Sequence, residues 1–265
     1  MEWWGHSGMF AETSTYDTDA QSYITAVEAA DGQALETGVR DAINAFVVGC
    51  KADGIWTAIK ASCILAGART LSGALVPLVG TAPTNNNFVS GDYNRETGLA
   101  GDGSTKYLDS NRASNADPQN SHHLAIYNSN TFETNEKVFI GAYSSNTKNG
   151  ALFFSSGSFY FNNRISSGGN QSATSSTAAG FAGSDRSSST LTTARRNSNN
   201  YTDTTVSTAP SASGDYFIFA LNNSGSATNH SAARIAFYSI GESLNLSLLD
   251  SRVSTLLTAY AAAIP

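Results

Sequence analysis

Residues 98–111 read GLAGDGSTKYLDSN, and the meaning of Gly101-Asp102-Gly103-Ser104-Thr105-Lys106 decides the fold. A phosphate-cradling loop needs G-x-x-x-x-G-K-[ST] opening a helix, so that the amides of its first turn face the phosphates. Here Lys106 follows Thr105, not a glycine, and Tyr107-Leu108 runs straight into Asp109-Ser110-Asn111. An apolar pair between two clusters of turn formers is a short strand with its turns. The stretch therefore predicts a β-strand and the turn that leads into it, with Gly101 and Gly103 supplying backbone freedom.

Working outward, the same pattern fills the chain from about residue 86. Short apolar runs such as Phe88-Val89, His123 to Tyr127, Lys137 to Ile140, Ala151 to Phe154 and Ser158 to Phe161 alternate with Gly, Asn and Ser turns. Asp215 to Ala220 and Ala233 to Tyr238 continue it, and the spacing predicts an antiparallel β-sandwich or jelly roll over 86–265. Residues 165–213, rich in Ser, Thr, Asn and Gly, read as long loops around one or two weak strands. A closing helix is expected from about residue 246, with Leu249, Val253, Leu256, Leu257, Tyr260 and Ile264 as its apolar stripe.

The first third reads differently. Asp17 or Asp19 can cap a helix carrying Tyr23, Ile24 and Val27, which Asp31-Gly32 closes. A second helix begins near Thr37, because Val39, Ile43, Phe46, Val47 and Cys50 share one face of a 3.6-residue period. A third short helix is expected to present Ile55, Trp56, Ile59 and Cys63, which places both cysteines on apolar helical faces as buried free thiols. The chain thus divides into an arm (1–16), a helical segment (17–80) and a sandwich (86–265).

Charged residues make up 14% of the 265, against roughly 25% in an average soluble domain. A net charge of −6 gives no basic field for nucleic acid, and no run approaches the ~18 apolar residues of a membrane helix. The one adjacent basic pair, Arg195-Arg196, reads as a solvated strand or loop. The start, MEWWGHSGMF, shows neither the basic n-region nor the long apolar run of a secretory signal. It concentrates Trp3, Trp4, Met9 and Phe10, which together suit either an interface with a neighbouring subunit or particle protein or packing back onto the chain's own domain.

Catalytic signatures are absent from the sequence. Glycoside hydrolysis needs two carboxylates roughly 5–10 Å apart across a cleft. Glu133 and Glu136 are three apart and face opposite sides of an extended chain, in what reads as a solvated loop; Asp203 and Asp215 are isolated. His122 and His123 are adjacent and point to opposite faces, so they cannot chelate one metal together. Glycan binding is the chemistry the composition does suit, through aromatic platforms beside Asn and Asp, with Tyr93, Tyr143 and Tyr201 as candidates.

GLAGDGSTKYLDSN, the strand pairs after it and the ending ARIAFYSIGESLNLSLLDSRVSTLL resemble a concanavalin A-like, laminin-G-type jelly roll. That resemblance implies loop-rim calcium in some members, for which Asp102, Asp109 and Asp117 are the candidates here, and no other cofactor. Residues 31–80 (DGQALETG to LVPLVG) with 87–111 (NFVSGDYNRETG onward) resemble a two-part architecture of tailed-bacteriophage virion proteins. It implies a non-enzymatic structural protein exposed on the virion, as a capsid decoration or a tail or fibre subunit. Its partners are then other virion proteins and further copies of itself in a homo-oligomer. The alternatives are a lectin-like protein attaching to a host-surface glycan and, less well supported, a polysaccharide-degrading enzyme.

Overall fold

The computed structural model describes residues 16–133, 135–144, 147–166, 171–174, 177–204, 206–209 and 214–265. Trp3, Trp4, His6, Met9 and Phe10 lie outside the described residues. Helix α1 (Thr18–Asp31) starts where the Asp17 carboxylate accepts from the Asp19 amide at 3.0 Å, and it ends at Gly32 in the left-handed region. Helix α2 (Thr37–Ala52) buries the expected face, Cys50 included.

The third helix does not form. Trp56–Ala58 is a single 3₁₀ turn, and Ile59–Ile64 is a strand, β1. All of its residues except Lys60 are buried, and a short run covered on both faces carries no periodicity to separate strand from helix. Cys63 is therefore a strand residue. Both cysteines are free and buried, and burial pushes each thiol up to about 12. A short helix α3 (Leu71–Ala74) follows.

The rest is a sandwich of two sheets. Helix α3 leads into β2 (Thr84–Asn86), β3 (Tyr93–Asn94), β4 (Gly98–Ala100), β5 (Tyr107–Ala113), β6 (His122–Asn128), β7 (Lys137–Ser144), β8 (Thr147–Ser155) and β9 (Ser158–Ser166). Next come β10 (Gln171–Thr174), β11 (Gly180–Arg186), β12 (Thr192–Arg196), β13 (Asn199–Asp203), β14 (Asp215–Ile218), β15 (Leu221–Asn223), β16 (Ser226–Thr228) and β17 (Arg234–Gly241). The first sheet runs β13-β12-β11-β6-β17-β4-β3, with β1 also on β17. The second runs β10-β9-β8-β7-β14-β5-β2, and the β15–β16 hairpin joins it on β7. Among the described residues of 165–213, β10 to β13 are more strands than the one or two weak ones expected there, because cross-strand pairing (for β11 to β13, to β6 and among themselves) organises a polar sequence. Phe88 is not in a strand: the Asn85 side chain brackets it, bonding its amide and its carbonyl at 3.0 Å each, and the ring enters the inter-sheet core.

Two apolar layers result. Between the sheets lie Leu108, Leu124, Ile126, Phe139, Phe159 and Ile218, among others. On the outer face of the first sheet, α1, α2 and helix α4 (Leu246–Ala263) bury a second layer in which Phe46 meets Phe237 edge-on at 5.9 Å. The stripe of α4 faces α2 as well as the sheet, and Arg252 clamps Asp53 with two bonds of 2.7 and 2.9 Å. None of the described helices is long and apolar enough to cross a membrane.

The opening stretch becomes β4, a turn and β5. The Asp102 carboxylate ties the turn by accepting from the amides of Ser104, Thr105 and Lys106 and from the Thr105 hydroxyl. Burial opposes its charge, but those donors prevail and hold it far below the usual carboxylate range. The two glycines act for different reasons. Gly103 has φ +73°, whereas Gly101 needs its missing side chain because a Cβ there would collide with the Ser231 carbonyl oxygen. Gly101→Ala is thus expected to destabilise by several kcal/mol, and Gly103→Ala by only about 1–2 kcal/mol, with Gly103→Asn milder still. Urea midpoints of the three variants check the order.

Burial also sets a pH balance. It depresses the His123 imidazole from 6.5 to about 4, against the help of its bond to the Glu242 carbonyl, and holds His122 well below its usual value as well. The unfolded chain binds those protons more readily, so stability falls as pH drops from about 6.5 towards 4. Asp185 is opposite: burial raises it from 3.8 to about 6, despite donors from Leu244 and Ser243, so it destabilises the fold as pH rises from about 4 to 6. Two units correspond to about 3 kcal/mol. Asp185→Asn is expected to steepen the acid-side fall in Tm and to gain stability relative to the parent from pH 4 to pH 7, read from thermal melts across that range.

Candidate functional site

The outer face of the second sheet carries no helix among the described residues, and alternation decides what it shows. On β8 and β9, Leu152, Phe154, Phe159 and Phe161 point into the core, so Phe153, Tyr160 and Asn162 point outward. Phe153 and Tyr160 are register partners and stack at 5.1 Å with planes 14° apart, both rings half-buried. Beside them the β15–β16 hairpin settles onto the sheet, where Gly141 leaves room for Leu221: a Cβ at Gly141 would come within 3.1 Å of that side chain.

Between this hairpin and β8 runs a groove of about 240 Å³ along β7. Val138, Tyr143, Phe153 and Leu221 form its apolar surface, while Ser155, Glu136, Lys137 and Asn229 make it polar at one end. The Ser155 hydroxyl donates to Glu136 at 3.0 Å, and the Lys137 ammonium to the Gly103 carbonyl at 3.0 Å. At the other end the Tyr143 oxygen accepts from the Asn162 amide at 2.5 Å. Burial pushes the Tyr143 phenol up to about 12, so it stays protonated with its O–H left to donate. The Asn162 carbonyl oxygen beneath is buried without a partner among the described residues. The arrangement offers ring faces for stacking and hydroxyl-scale donors and acceptors around them.

Of the three tyrosines expected to bind glycan, only Tyr143 is here. Tyr93 on β3 is a clasp, donating to the Ala68 carbonyl at 2.7 Å, and Tyr201 on β13 lies at the far end of the same sheet. Phe153 and Tyr160 were detectable in principle, since runs such as Ser158-Phe159-Tyr160-Phe161 must send alternate rings to opposite faces.

The calcium candidates are not brought together. Asp102 is absorbed in its turn, and Asp117, buried, is ion-paired with Arg112. Asp109 sits within a strand, not a turn, and the carboxyl of Asp215 on the neighbouring β14 is close enough to act on it. Burial first, and then that neighbour, raise Asp109. No group of three metal-ligating side chains occurs among the described residues.

His122 and His123 do take opposite faces, and both are buried. The first donates from Nδ1 to Asn163 at 2.9 Å; the second donates to Glu242 at 2.6 Å and accepts from Ser239 at 2.8 Å. Glu133 is not a solvated loop residue, because it accepts from the Ser231 hydroxyl and the Ala232 amide at 2.7 Å each. Arg195 and Arg196 are buried rather than solvated. Asp250 of α4 receives the first at 2.7 Å, and the second lies 4.2 Å from the Phe132 ring centre.

No family model and no curated protein matches the chain. Among solved structures it is similar to the binding domain of botulinum neurotoxin serotype D, at 10% identity and TM-score 0.50 over 75% of this chain and 51% of that one. It is also similar to a mutant of Trypanosoma rangeli sialidase displaying trans-sialidase activity, at 10% identity and TM-score 0.50 over 82% of this chain and 39% of that one. The chain spans about half or less of those structures, and the similarity is one of fold: a mainly β sandwich of the jelly-roll kind, with N-terminal helices and a closing helix.

Proposed function

We propose that this chain is a non-enzymatic carbohydrate-binding protein that holds a surface glycan in the groove along β7. The observation that carries the reading is the stacked, half-buried Phe153–Tyr160 pair beside Tyr143, because aromatic faces paired with neutral hydrogen-bonding groups are what a pyranose ring requires. The non-enzymatic part of the reading rests on the sequence, which shows no carboxylate pair of the kind that glycoside hydrolysis uses.

Placement on the exterior of a tailed-phage particle, as an oligomeric decoration or appendage subunit, rests on the resemblance of residues 31–80 and 87–111. A fixed ratio of this chain to the major shell protein in gradient-purified particles supports it; absence from the particle band overturns it.

Glycan binding is tested on an array of bacterial surface polysaccharides. Binding is expected for the parent chain and for Glu136→Gln, with a loss of about tenfold or more in Phe153→Ala and Tyr160→Ala, in line with ~1–3 kcal/mol per stacked ring. Unchanged binding in both ring variants, with their melting temperatures intact, would sink the assignment to this groove.

A further inference from the structure

A second cleft, of about 640 Å³, opens where α1 meets β1. Tyr23, Ile59 and Leu78, all buried, form its floor, and Trp56 forms a wall. A smaller hollow of about 280 Å³, bounded by Lys51, Gly54 and Thr57, borders the same indole, so Trp56 stands between two open spaces. The ring is fixed rather than adventitious in its pose. Its N–H donates to Asp19 at 3.1 Å, Asp19 pairs with Lys51 at 2.7 Å, and the Lys51 ammonium lies 5.9 Å from the ring centre. The ring packs partly against the helical core layer and stays part-exposed towards the cleft.

The surroundings narrow the ligand. An anion finds no uncommitted cation, because Lys51 is shared between Asp17 and Asp19 and Lys60 pairs with Glu242 at 2.9 Å. A peptide strand finds no ladder to extend, because the outer edge of β1 is already taken: Ser62 donates to Val79 at 3.0 Å, and Leu78 donates back to Ser62 at 2.8 Å. What the cleft does offer is an indole face and, on the exposed rim, the Ser22 and Thr57 hydroxyls. Ser22 gives its proton to the Thr18 carbonyl at 2.8 Å and so presents lone pairs to a hydroxyl donor.

We propose that the Trp56 cleft is a second carbohydrate-binding site, taking a neutral oligosaccharide whose pyranose ring stacks on the indole. It shares no residue with the groove along β7 and stands or falls separately from it.

The experiment follows the Trp56 indole N–H resonance of the full-length chain, assigned by its disappearance in Trp56→Phe. Maltotetraose, cellotetraose and chitotetraose are titrated in, with sialyllactose as the anionic probe and a peptide of residues 1–12 as the polypeptide probe. A saturable shift with at least one neutral tetrasaccharide, retained in Phe153→Ala and lowered tenfold or more in affinity by Ser22→Arg at the rim, is the expected result. The Phe153→Ala background separates this site from the groove, since only the groove fails there. Three results overturn the proposal: no shift with any neutral saccharide, a shift with sialyllactose alone, or a shift with the peptide alone. Circular dichroism melts of each variant confirm that the fold is intact.

Discussion

Strand β17 is the constraint on which the rest of the structure depends. Arg234–Gly241 pairs with β6 along one edge and with β4 and then β1 along the other, and every residue after Arg234 is buried. Its inner face closes the inter-sheet core through Ile235, Tyr238 and Ile240, while Phe237 turns to the helices. A strand covered on both faces needs a second layer on the far side of its sheet. Helices α1, α2 and α4 are that layer, and β1 stitches them in: the Ser62 hydroxyl donates to the Tyr238 carbonyl at 2.7 Å, 176 residues away. The helical lead-in is therefore part of the sandwich's own burial, and breaking it exposes the back of the central strand.

What the sequence made legible follows the same logic. Helices α1, α2 and α4 each cover one face, so a 3.6-residue stripe records them, and the caps at Asp17 and Gly32 mark the first. β1 left no such record, because burial on both faces erased it. β11 to β13 showed only as one or two weak strands because their identity lies in pairing, not in apolar content: Asp185 and Arg186 on β11 look like loop residues until β6 and β12 flank them. The groove was half-visible. Tyr143 could be named, but its neighbours across β8, β9 and β15 are set by register, which no local pattern states.

Low surface charge has a structural counterpart inside. Arg164, Arg186 and Arg196 are fully buried. Arg164 donates to the carbonyls of Asp117 at 2.8 Å and Ser114 at 2.9 Å, while the Arg186 Nε donates to Asn163 at 2.8 Å. Burial brings Arg186 and Arg196 down to about 10, still protonated at neutral pH. Guanidinium suits this use, since its fork of donors can be satisfied by backbone carbonyls where an ammonium would stay under-coordinated. These arginines pin loops and strand ends to the sandwich, so basic residues that on another protein would face solvent serve here as internal ties. Serine, threonine and asparagine are left to solvate the surface, and such a surface neither repels nor strongly attracts an uncharged polysaccharide.

That surface chemistry bears on how weak sites can suffice. Stacking one ring on Phe153–Tyr160 or on Trp56 contributes on the order of 1–3 kcal/mol, far short of durable attachment by itself. On the proposed reading, two such sites on one chain, built on different sheets and sharing no residue, would convert the second contact into an intramolecular one whose effective concentration exceeds that of free ligand. Were copies of the chain arrayed on one particle, as proposed, the effect would multiply again. Each contact can then release and re-form rapidly while the whole stays bound, which favours scanning along a repetitive polymer over locking onto a single epitope. Rigidity of the platforms matters more than depth in that regime, because any entropy lost in ordering a loose ring would cancel a gain of this size. The Asp19 bond to Trp56 and the flush Phe153–Tyr160 stack meet that requirement by fixing each ring before a ligand arrives.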